Sequence, residues 1–235
     1  MPKSCGDCSS RARSCFASIT QSEDFEKVSG AKSESTLHPG MNISFAPQSG
    51  SPGSGFYCLE KGYVRKFTEL ANGTTGILCI AGPGDLIGYQ VDGEAGESSR
   101  QAEALEKSSA CFFMQDKFEQ LQRDIPAISH SLVKVFARRL NSAYGHVLGL
   151  ENHSVTSRVA ALLFSLAEQS GVTTELGSRI RVKLDRDTMA KMAGTVTETF
   201  ARVLTQLEKE KVILRQGRAI IITNFSLLDR ARNFR

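Results

Sequence analysis

The six cysteines carry the most reactive side chains of this 235-residue chain, and they are unevenly distributed. Three crowd the first fifteen residues and three are dispersed through apolar segments: Cys5, Cys8 and Cys15, then Cys58, Cys79 and Cys111. In a reducing compartment, closely spaced thiols favour metal or redox chemistry over a disulfide scaffold. The sequence therefore predicts a thiol site that includes the N-terminal segment CGDCSSRARSC, and we interpret Cys58 and Cys79 as buried apolar fillers.

A second set of chemically suitable side chains lies on one face of a predicted helix near the C-terminus. This polar face consists of Thr197, Glu198, Ala201, Arg202 and Thr205. Arg202 can donate two hydrogen bonds to guanine O6 and N7, Glu198 can accept one from cytosine N4, and Ala201 fits against a thymine methyl. The helix therefore suits base reading in the major groove, with a surface ion pair between Glu198 and Arg202 as the alternative.

The elements around this helix occur in the order helix, strand, helix, turn, helix and hairpin. Asp185 can cap the short helix DRDTMAKMA, and Gly194 permits a tight turn into the second helix. The strand RIRVKL alternates basic and apolar residues, and VILRQ and RAIIIT flank Gln216-Gly217 as a hairpin. This order predicts a winged helix-turn-helix.

The charge distribution agrees with an anionic partner for this part of the chain. Residues 151–235 hold 14 basic and 9 acidic residues, whereas the first 150 residues carry a net charge of −1. The basic excess thus lies in the C-terminal third, where we expect nucleic acid to bind.

The first half of the chain has the regularly spaced turn signals that are typical of an antiparallel sandwich or barrel. Turn signals recur about every ten residues at Lys61-Gly62, Asn72-Gly73, Pro83-Gly84 and Asp92-Gly93, with short apolar runs between them. Residues 30–54 are rich in Ser, Gly and Pro, and we interpret them as loop and ragged edge strands.

From Ile125 to about Asn152, apolar residues recur every three or four positions, as they do in an amphipathic helix. One stripe is formed by Leu132, Phe136, Leu140, Ala143 and Val147. The near-heptad spacing of this stripe predicts a dimerisation helix, with a core helix of a monomer as the alternative.

Several protein classes are excluded. No apolar stretch approaches the roughly 20 residues of a membrane span, and the N-terminus lacks an apolar signal core, so we expect a cytoplasmic protein without a membrane partner. The four histidines lie in unrelated segments, and no nucleophile elbow, phosphate loop or paired histidine ligands occur. We therefore expect no enzymatic activity.

The sequence resembles the Crp/Fnr superfamily of bacterial transcription regulators over nearly the whole chain. The matching segments are GFYCLEKGYVRKF, GPGDLIGY, ALEKSSACFF with the following DKFEQL, the long helix, and GTVTETFARVLTQLEKEKVILRQGRAIII. The resemblance implies an α+β fold with four parts. These are an N-terminal cysteine segment over residues 1–22, a β-roll sensor domain resembling cyclic-nucleotide-binding domains over 23–124, a dimerisation helix over 125–153, and a winged helix-turn-helix over 154–235.

The same resemblance implies partners and base readers. The chain is expected to act as a homodimer on double-stranded palindromic DNA, with RNA polymerase as a further partner. E-T-x-x-R at the start of the recognition helix is the family's base-reading pattern, so Glu198 and Arg202 resemble the readers of TGA-type half-sites.

The N-terminal cysteine segment is similar to that of the family's oxygen-sensing branch. This similarity implies a four-iron four-sulfur cluster held by Cys5, Cys8, Cys15 and Cys111. Zinc on the same four thiolates, or thiols that bind no metal, remain alternatives.

The alternative effector is a cyclic nucleotide or another anion in the β-roll. Nucleotide-binding relatives carry Glu and an Arg-Ser pair where this chain has Tyr89 and Arg100-Gln101.

Overall fold

The computed structural model describes residues 4–44, 55–70, 73–88 and 100–233. The chain divides into two compact units, Met1–Asn141 and Ser142–Arg235, with the boundary inside one long helix. Within the described ranges, no helix combines the length and apolar character needed to cross a bilayer.

The described residues of the first unit form two four-stranded antiparallel sheets and three helices. The segment before them forms two short 3₁₀ turns, Cys5–Asp7 and Arg11–Arg13. Its helices are α1 (Ser22–Ala31), α2 (Gln115–Asp124) and the N-terminal half of α3 (Pro126–Asn152). Its strands are β1 (Lys32–Leu37), β2 (Asn42–Ser44), β3 (Gly55–Lys61), β4 (Val64–Glu69), β5 (Thr75–Ala81), β6 (Leu86–Ile87), β7 (Arg100–Ala104) and β8 (Ser108–Met114).

The strand orders are β1-β8-β3-β6 in one sheet and β2-β7-β4-β5 in the other. In the first sheet, Phe56 of β3 lies opposite Phe113 of β8, and their rings stack with centroids 5.6 Å apart. Phe118 of α2 meets Phe56 edge-on at 4.6 Å, and Phe16 of the N-terminal segment lies 5.3 Å from Phe113. These buried rings therefore tie the N-terminal segment, the sheet and α2 into one core.

The long helix α3 is buried in its first half and exposed in its second. Ile128, Leu132 and Val135 pack within the first unit, whereas most apolar side chains beyond Phe136 are exposed. The helix therefore shares one face with its own unit's core and leaves another apolar face uncovered.

The second unit is a helical core with a four-stranded sheet of order β11-β12-β10-β9. Its elements, after the end of α3, are α4 (Val155–Ser170), β9 (Gly171–Thr174), β10 (Gly177–Ile180), α5 (Arg186–Met192), α6 (Thr197–Lys209), β11 (Ile213–Gln216), β12 (Ala219–Ile222) and α7 (Phe225–Arg232). Helices α5 and α6 form the helix-turn-helix, and β11 with β12 forms the wing. The α+β architecture predicted from the sequence is confirmed.

The structure refines two local expectations. Within residues 30–54, interpreted as loop and ragged edge strands, residues 32–37 form β1, an edge strand whose six residues all pair with β8. Only Leu37 of this strand is buried, so its sequence KSESTL lacks the apolar alternation that identifies a strand. Conversely, the regular strand expected from RIRVKL ends at Ile180, although the exposed basic and buried apolar residues still alternate to Lys183.

Candidate functional site

Five of the six cysteines come together in the first unit, at a place we call the thiol site. Its members are Cys5, Cys8, Cys15, Cys58 and Cys111. A cavity of about 20 Å³, lined by Cys5, Cys8, Cys58 and Cys111, has room for about one water molecule. Segments more than fifty residues apart therefore contribute sulfur atoms to a single place.

The N-terminal part of the thiol site is built by local hydrogen bonds. Ser4 Oγ accepts from the Gly6 amide and caps the first 3₁₀ turn. The Cys5 amide donates to Ser29 Oγ of α1 at 3.0 Å, and Cys8 Sγ lies 3.1 Å from Ser10 Oγ. The bond from Cys5 to Ser29 holds the C-x2-C turn against α1.

Burial favours the neutral form of the thiols, and one lysine lies beside them. Burial raises the pKa of Cys5, Cys15, Cys58 and Cys111 above the ordinary thiol value. The Lys32 ammonium, whose side chain is only 4% exposed, lies 3.6 Å from Cys111 Sγ. Burial lowers the pKa of Lys32, but negative charge on Cys111, Cys5 and Glu34 outweighs this effect and raises that pKa overall.

The thiol site contains sulfur ligands, but they do not have the geometry of a formed metal site. Thiolate sulfur suits zinc and iron–sulfur clusters. In the described part of the chain, however, no three His, Cys, Asp or Glu side chains have the mutual geometry of a formed metal site. The donor set therefore fits a thiolate-bound centre, while the small cavity means that binding requires the sulfur atoms to separate.

The structure brings the four predicted ligands together and adds a fifth thiol. Cys5, Cys8, Cys15 and Cys111 all belong to the thiol site. Cys58, interpreted above as an apolar filler, lies directly opposite Cys111 on β3 and β8 and lines the same cavity. Only the strand register reveals this neighbour, because the two residues are 53 positions apart in the sequence.

The N-terminal segment that carries three of the thiols also contacts the long helix. The Ser18 amide donates to Ser131 Oγ of α3 at 2.9 Å, and Arg138 Nη2 donates to the Arg13 carbonyl at 3.4 Å. The segment that carries three of the thiols is therefore hydrogen-bonded to α3.

The turn before β6 provides a third link to α3. Asp85 forms an ion pair with Arg139 at 2.9 Å. The preceding Gly84 has φ +92°, and a Cβ there would lie 2.8 Å from Arg13 Cβ. Only glycine therefore lets the N-terminal segment pass this close to the turn.

The predicted dimer stripe is exposed except at its first position. Phe136, Leu140, Ala143 and Val147 are exposed on α3. Leu132, in contrast, is 7% exposed because it packs in the core of its own chain, whereas Val133 is 67% exposed. If the stripe begins at Val133 instead of Leu132, its successive residues are three, four, three and four positions apart, which is the spacing of a strict heptad.

The predicted base-reading residues lie together on the exposed face of α6. Thr197, Glu198, Ala201, Arg202 and Thr205 are all exposed, opposite a buried face formed by Phe200, Val203, Leu204 and Leu207. Arg202 Nη2 donates to Thr199 Oγ1 at 3.2 Å. Across the described residues no ion pair joins Arg202 to Glu198.

The turn between α5 and α6 is fixed by one arginine that sequence reasoning missed. Arg158 of α4 donates through Nε to the Ala193 carbonyl at 2.9 Å and through Nη2 to the Gly194 carbonyl at 3.1 Å. Its Nη1 donates to the His153 carbonyl at 2.8 Å. Gly194 has φ +62°, as the tight turn requires. A single guanidinium therefore ties the recognition turn to α4 and to the end of α3.

Two further interactions orient α5 and the wing. Asp185 caps α5 by accepting from the Thr188 amide at 2.7 Å and the Thr188 hydroxyl at 3.0 Å. Glu208 of α6 accepts from the Arg215 amide and guanidinium of β11 at 2.6–2.8 Å. Hydrogen bonding to Arg215 lowers the pKa of Glu208, so the carboxylate stays charged and holds the wing against α6.

The residues of the nucleotide interpretation are only partly described. Tyr89 and the side chain of Arg100 lie outside the described residues, while Gln101 is half-buried on β7.

Comparisons with known proteins match both units. The family model of the Crp-like helix-turn-helix domain matches residues 157–231, and that of the cyclic nucleotide-binding domain matches residues 47–124. The cyclic AMP receptor protein of Thermus thermophilus is 29% identical over 180 residues, which is 77% of this chain and 80% of that protein. The nitrogen fixation regulation protein FixK of Bradyrhizobium diazoefficiens is 27% identical over 233 residues, which is 97% of this chain and 91% of that protein.

A solved structure supports the same fold. FixK2 of Bradyrhizobium japonicum superposes with a TM-score of 0.73 at 22% identity, covering 87% of this chain and 98% of that chain.

Replacing Arg158 by Met should lower the free energy of unfolding by about 1–3 kcal/mol, because three backbone carbonyls lose their charged donor. Arg230→Met, at an exposed position of α7, is the matched control and should change it by less than about 0.5 kcal/mol. Urea denaturation followed by circular dichroism measures both, and equal stability of the two variants would contradict the anchoring role of Arg158.

Proposed function

The chain belongs to the Crp/Fnr family of transcription regulators, and from this premise we propose that it is a homodimer whose DNA binding responds to oxygen or nitric oxide through an iron–sulfur cluster. Regulators of this family bind DNA and act as dimers. They are not enzymes, which confirms the expectation drawn from the sequence.

We propose that α6 reads TGA-type half-sites of a palindrome. The guanidinium of Arg202 is exposed and can donate to guanine O6 and N7, and the Glu198 carboxylate is exposed and can accept from cytosine N4. Arg179, Arg181 and Lys183 are exposed cations that suit the DNA backbone. RNA polymerase is the further partner expected of such a regulator at a promoter.

We propose that two copies pair through the exposed heptad of α3. This heptad consists of Val133, Phe136, Leu140, Ala143 and Val147. Its uncovered apolar side chains need a partner surface, and a two-fold axis along α3 would present two recognition helices to one palindrome. Leu132, part of the stripe expected from the sequence, is excluded from this seam because its own core covers it.

The convergence of the thiols carries the sensing proposal. The resemblance implies Cys5, Cys8, Cys15 and Cys111 as the ligands, and all four belong to the thiol site. When bound, a four-iron four-sulfur cluster supplies an inorganic centre sensitive to oxygen and nitric oxide. The protein contributes the thiolates, a buried setting, and a lysine that offsets their negative charge.

We propose that the contacts of the N-terminal segment with α3 transmit a change at the thiol site to the recognition helices. Ser18 and Arg13 of this segment bond to Ser131 and Arg138 of α3. Losing the cluster would release the thiols that anchor the segment and so weaken these bonds. Because α3 carries the dimer seam, the consequence would be altered helix pairing and altered spacing of the recognition helices.

The second candidate is a regulator controlled by a cyclic nucleotide or another anion in the β-roll, with zinc or no metal on the thiols. The match of residues 47–124 to the cyclic nucleotide-binding domain is the observation that favours it.

For base reading, Arg202→Ala should weaken binding to a TGA-type palindrome by about 1–3 kcal/mol per half-site, because the bidentate guanine contact is lost. Salt-sensitive binding to scrambled DNA should persist. Lys209→Ala removes the same charge from the far end of α6 and should preserve discrimination. Fluorescence anisotropy on both DNAs measures this; unchanged discrimination in Arg202→Ala would remove the assignment.

For assembly, cluster-free protein should remain a dimer at micromolar concentration, because the seam contains no acidic side chain to drive its halves apart. Leu140→Glu should give monomers, since it would bury two like charges against each other. Asn141→Glu, an exposed position on another face of α3, should leave the dimer intact. Sedimentation velocity decides, and a monomeric cluster-free wild type would refute the constitutive dimer.

For sensing, protein purified without oxygen should contain about four iron and four sulfide per chain and lose both in air. Cys111→Ser should lack them, because a sheet ligand is missing, whereas Cys79→Ser should match wild type because Cys79 is not part of the thiol site. The measurements are iron, sulfide and zinc analysis with visible absorbance. Wild type with zinc alone, or with no metal, would favour the second candidate.

A further inference from the structure

The ion pair between α3 and the turn before β6 occupies only one nitrogen of the Arg139 guanidinium. Arg139 Nη2 donates to Asp85 Oδ1 at 2.9 Å and to the Leu86 carbonyl at 3.3 Å. Asp85 is itself held in place, because its Oδ2 accepts from the Gly82 amide at 2.8 Å. Among the described residues, Nη1 and Nε of Arg139 have no hydrogen-bond acceptor, and the side chain is 32% exposed. Arg139 is therefore oriented by its own chain but retains an exposed part.

The heptad of α3 defines where Arg139 lies relative to the seam. The seam residues occupy the heptad positions a and d, and Leu150, which is 44% exposed, extends them by one further d position. Arg139 then occupies position g, directly before Leu140, and Tyr144 occupies position e, directly after Ala143. Positions e and g flank a coiled-coil seam on its two sides.

The two flanks of the seam differ in what their own chain places beside them. On the g flank, Leu132 is buried in its own core, and Arg139 bonds to the turn before β6. On the e flank, Ala137, Tyr144 and Glu151 are all exposed. Tyr144 is 58% exposed, and its ring has no hydrogen bond or ring contact with any other described residue. A large aromatic side chain thus lies at the edge of the seam without a partner in the described part of its own chain.

A parallel pair of helices brings these two flanks together. The two-fold axis proposed along α3 makes the helices parallel, and the residue at g of one helix then faces the residue at e of the next heptad on the other. The three pairs formed in this way are Leu132 with the partner's Ala137, Arg139 with the partner's Tyr144, and His146 with the partner's Glu151. Each pair is complementary: apolar with apolar, cation with aromatic ring, and imidazole with carboxylate.

Arginine and tyrosine suit each other in this arrangement. A guanidinium within about 6 Å of a tyrosine ring centroid is attracted to the negative face of the ring. Stacking on a ring leaves the in-plane N–H groups of arginine free to donate, so Arg139 can keep its bonds to Asp85 and Leu86. The same kind of contact occurs within the second unit, where the guanidinium carbon of Arg232 lies 3.9 Å from the centroid of the Phe164 ring.

We propose that the partner's Tyr144 stacks on the Arg139 guanidinium in each half of the dimer. This proposal rests on the proposed α3 seam and adds a contact that one chain does not make alone, because Arg139 and Tyr144 of the same helix lie on opposite flanks of the seam. The turn before β6 of one subunit, bonded to Arg139, is thereby linked to α3 of the other subunit.

The test is the pairing preference of two full-length chains with different mass tags, co-expressed and purified without oxygen. One chain carries Arg139→Ala and the other Tyr144→Ala. Each homodimer lacks both contacts, whereas the mixed dimer keeps one. Native mass spectrometry measures the pairing quotient, which is the squared mixed-dimer concentration divided by the product of the homodimer concentrations. We expect this quotient to exceed its statistical value about five- to thirtyfold, because two mixed dimers together retain two cation–π contacts.

Two control pairings use the same Arg139→Ala chain. Leu148→Ala truncates another exposed side chain of α3 at position b, so its pairing quotient should be statistical. Tyr144→Phe should also give the statistical value, because the phenyl ring preserves the contact and its homodimer keeps both copies. Circular dichroism of each homodimer should show that the variants are folded.

The outcomes separate this contact from the dimer itself. Monomeric wild type would overturn the proposed α3 seam and the contact together. Dimers with a statistical mixture of Arg139→Ala and Tyr144→Ala chains would overturn the contact alone. A raised quotient with Leu148→Ala would also overturn it, because the preference would then not depend on the ring. A raised quotient with Tyr144→Phe would overturn the stacking, because it would assign the contact to the hydroxyl.

Discussion

The register between β3 and β8 is the constraint on which the first unit depends. It places Phe56 against Phe113 and, two residues further, Cys58 against Cys111. The aromatic pair provides the surface on which Phe16 and Phe118 pack, and thereby anchors both the N-terminal segment and α2. A slip of β3 by one residue would turn Phe56 and Cys58 to the opposite face of the sheet and separate them from Phe113 and Cys111.

Burial and metal ligation favour opposite protonation states of the thiols. Desolvation raises the thiol pKa values and favours the neutral form, whereas metal ligation requires thiolates. Lys32 reduces this cost at Cys111, because its buried ammonium lies beside the sulfur and is itself balanced by Glu34 at 3.4 Å. Metal binding at the thiol site would therefore require displacement of the thiol protons.

The recognition unit is stabilised by a different principle, since local polar interactions set its geometry. Asp185 starts α5, Gly194 makes the turn, and Arg158 bonds to the turn carbonyls. The buried face of α6 then leaves Glu198 and Arg202 exposed. Each of these residues has a fixed place because its backbone bonds are satisfied within the unit, which is what base reading at hydrogen-bond precision demands.

Features encoded by local spacing were evident in the sequence alone. Capping residues, a turn glycine and helical periodicity identified the winged helix-turn-helix, and the heptad identified the long helix as a candidate for pairing. The bounds of the edge strand β1 were not predictable, because its ladder bonds to β8 stabilise it without apolar alternation. Leu132 and Val133 are adjacent in the same apolar run, and only packing against the sheet decided that Leu132 is buried and Val133 exposed. The same holds for Cys58, whose neighbours are set by strand register, a long-range property that no local pattern in the sequence contains.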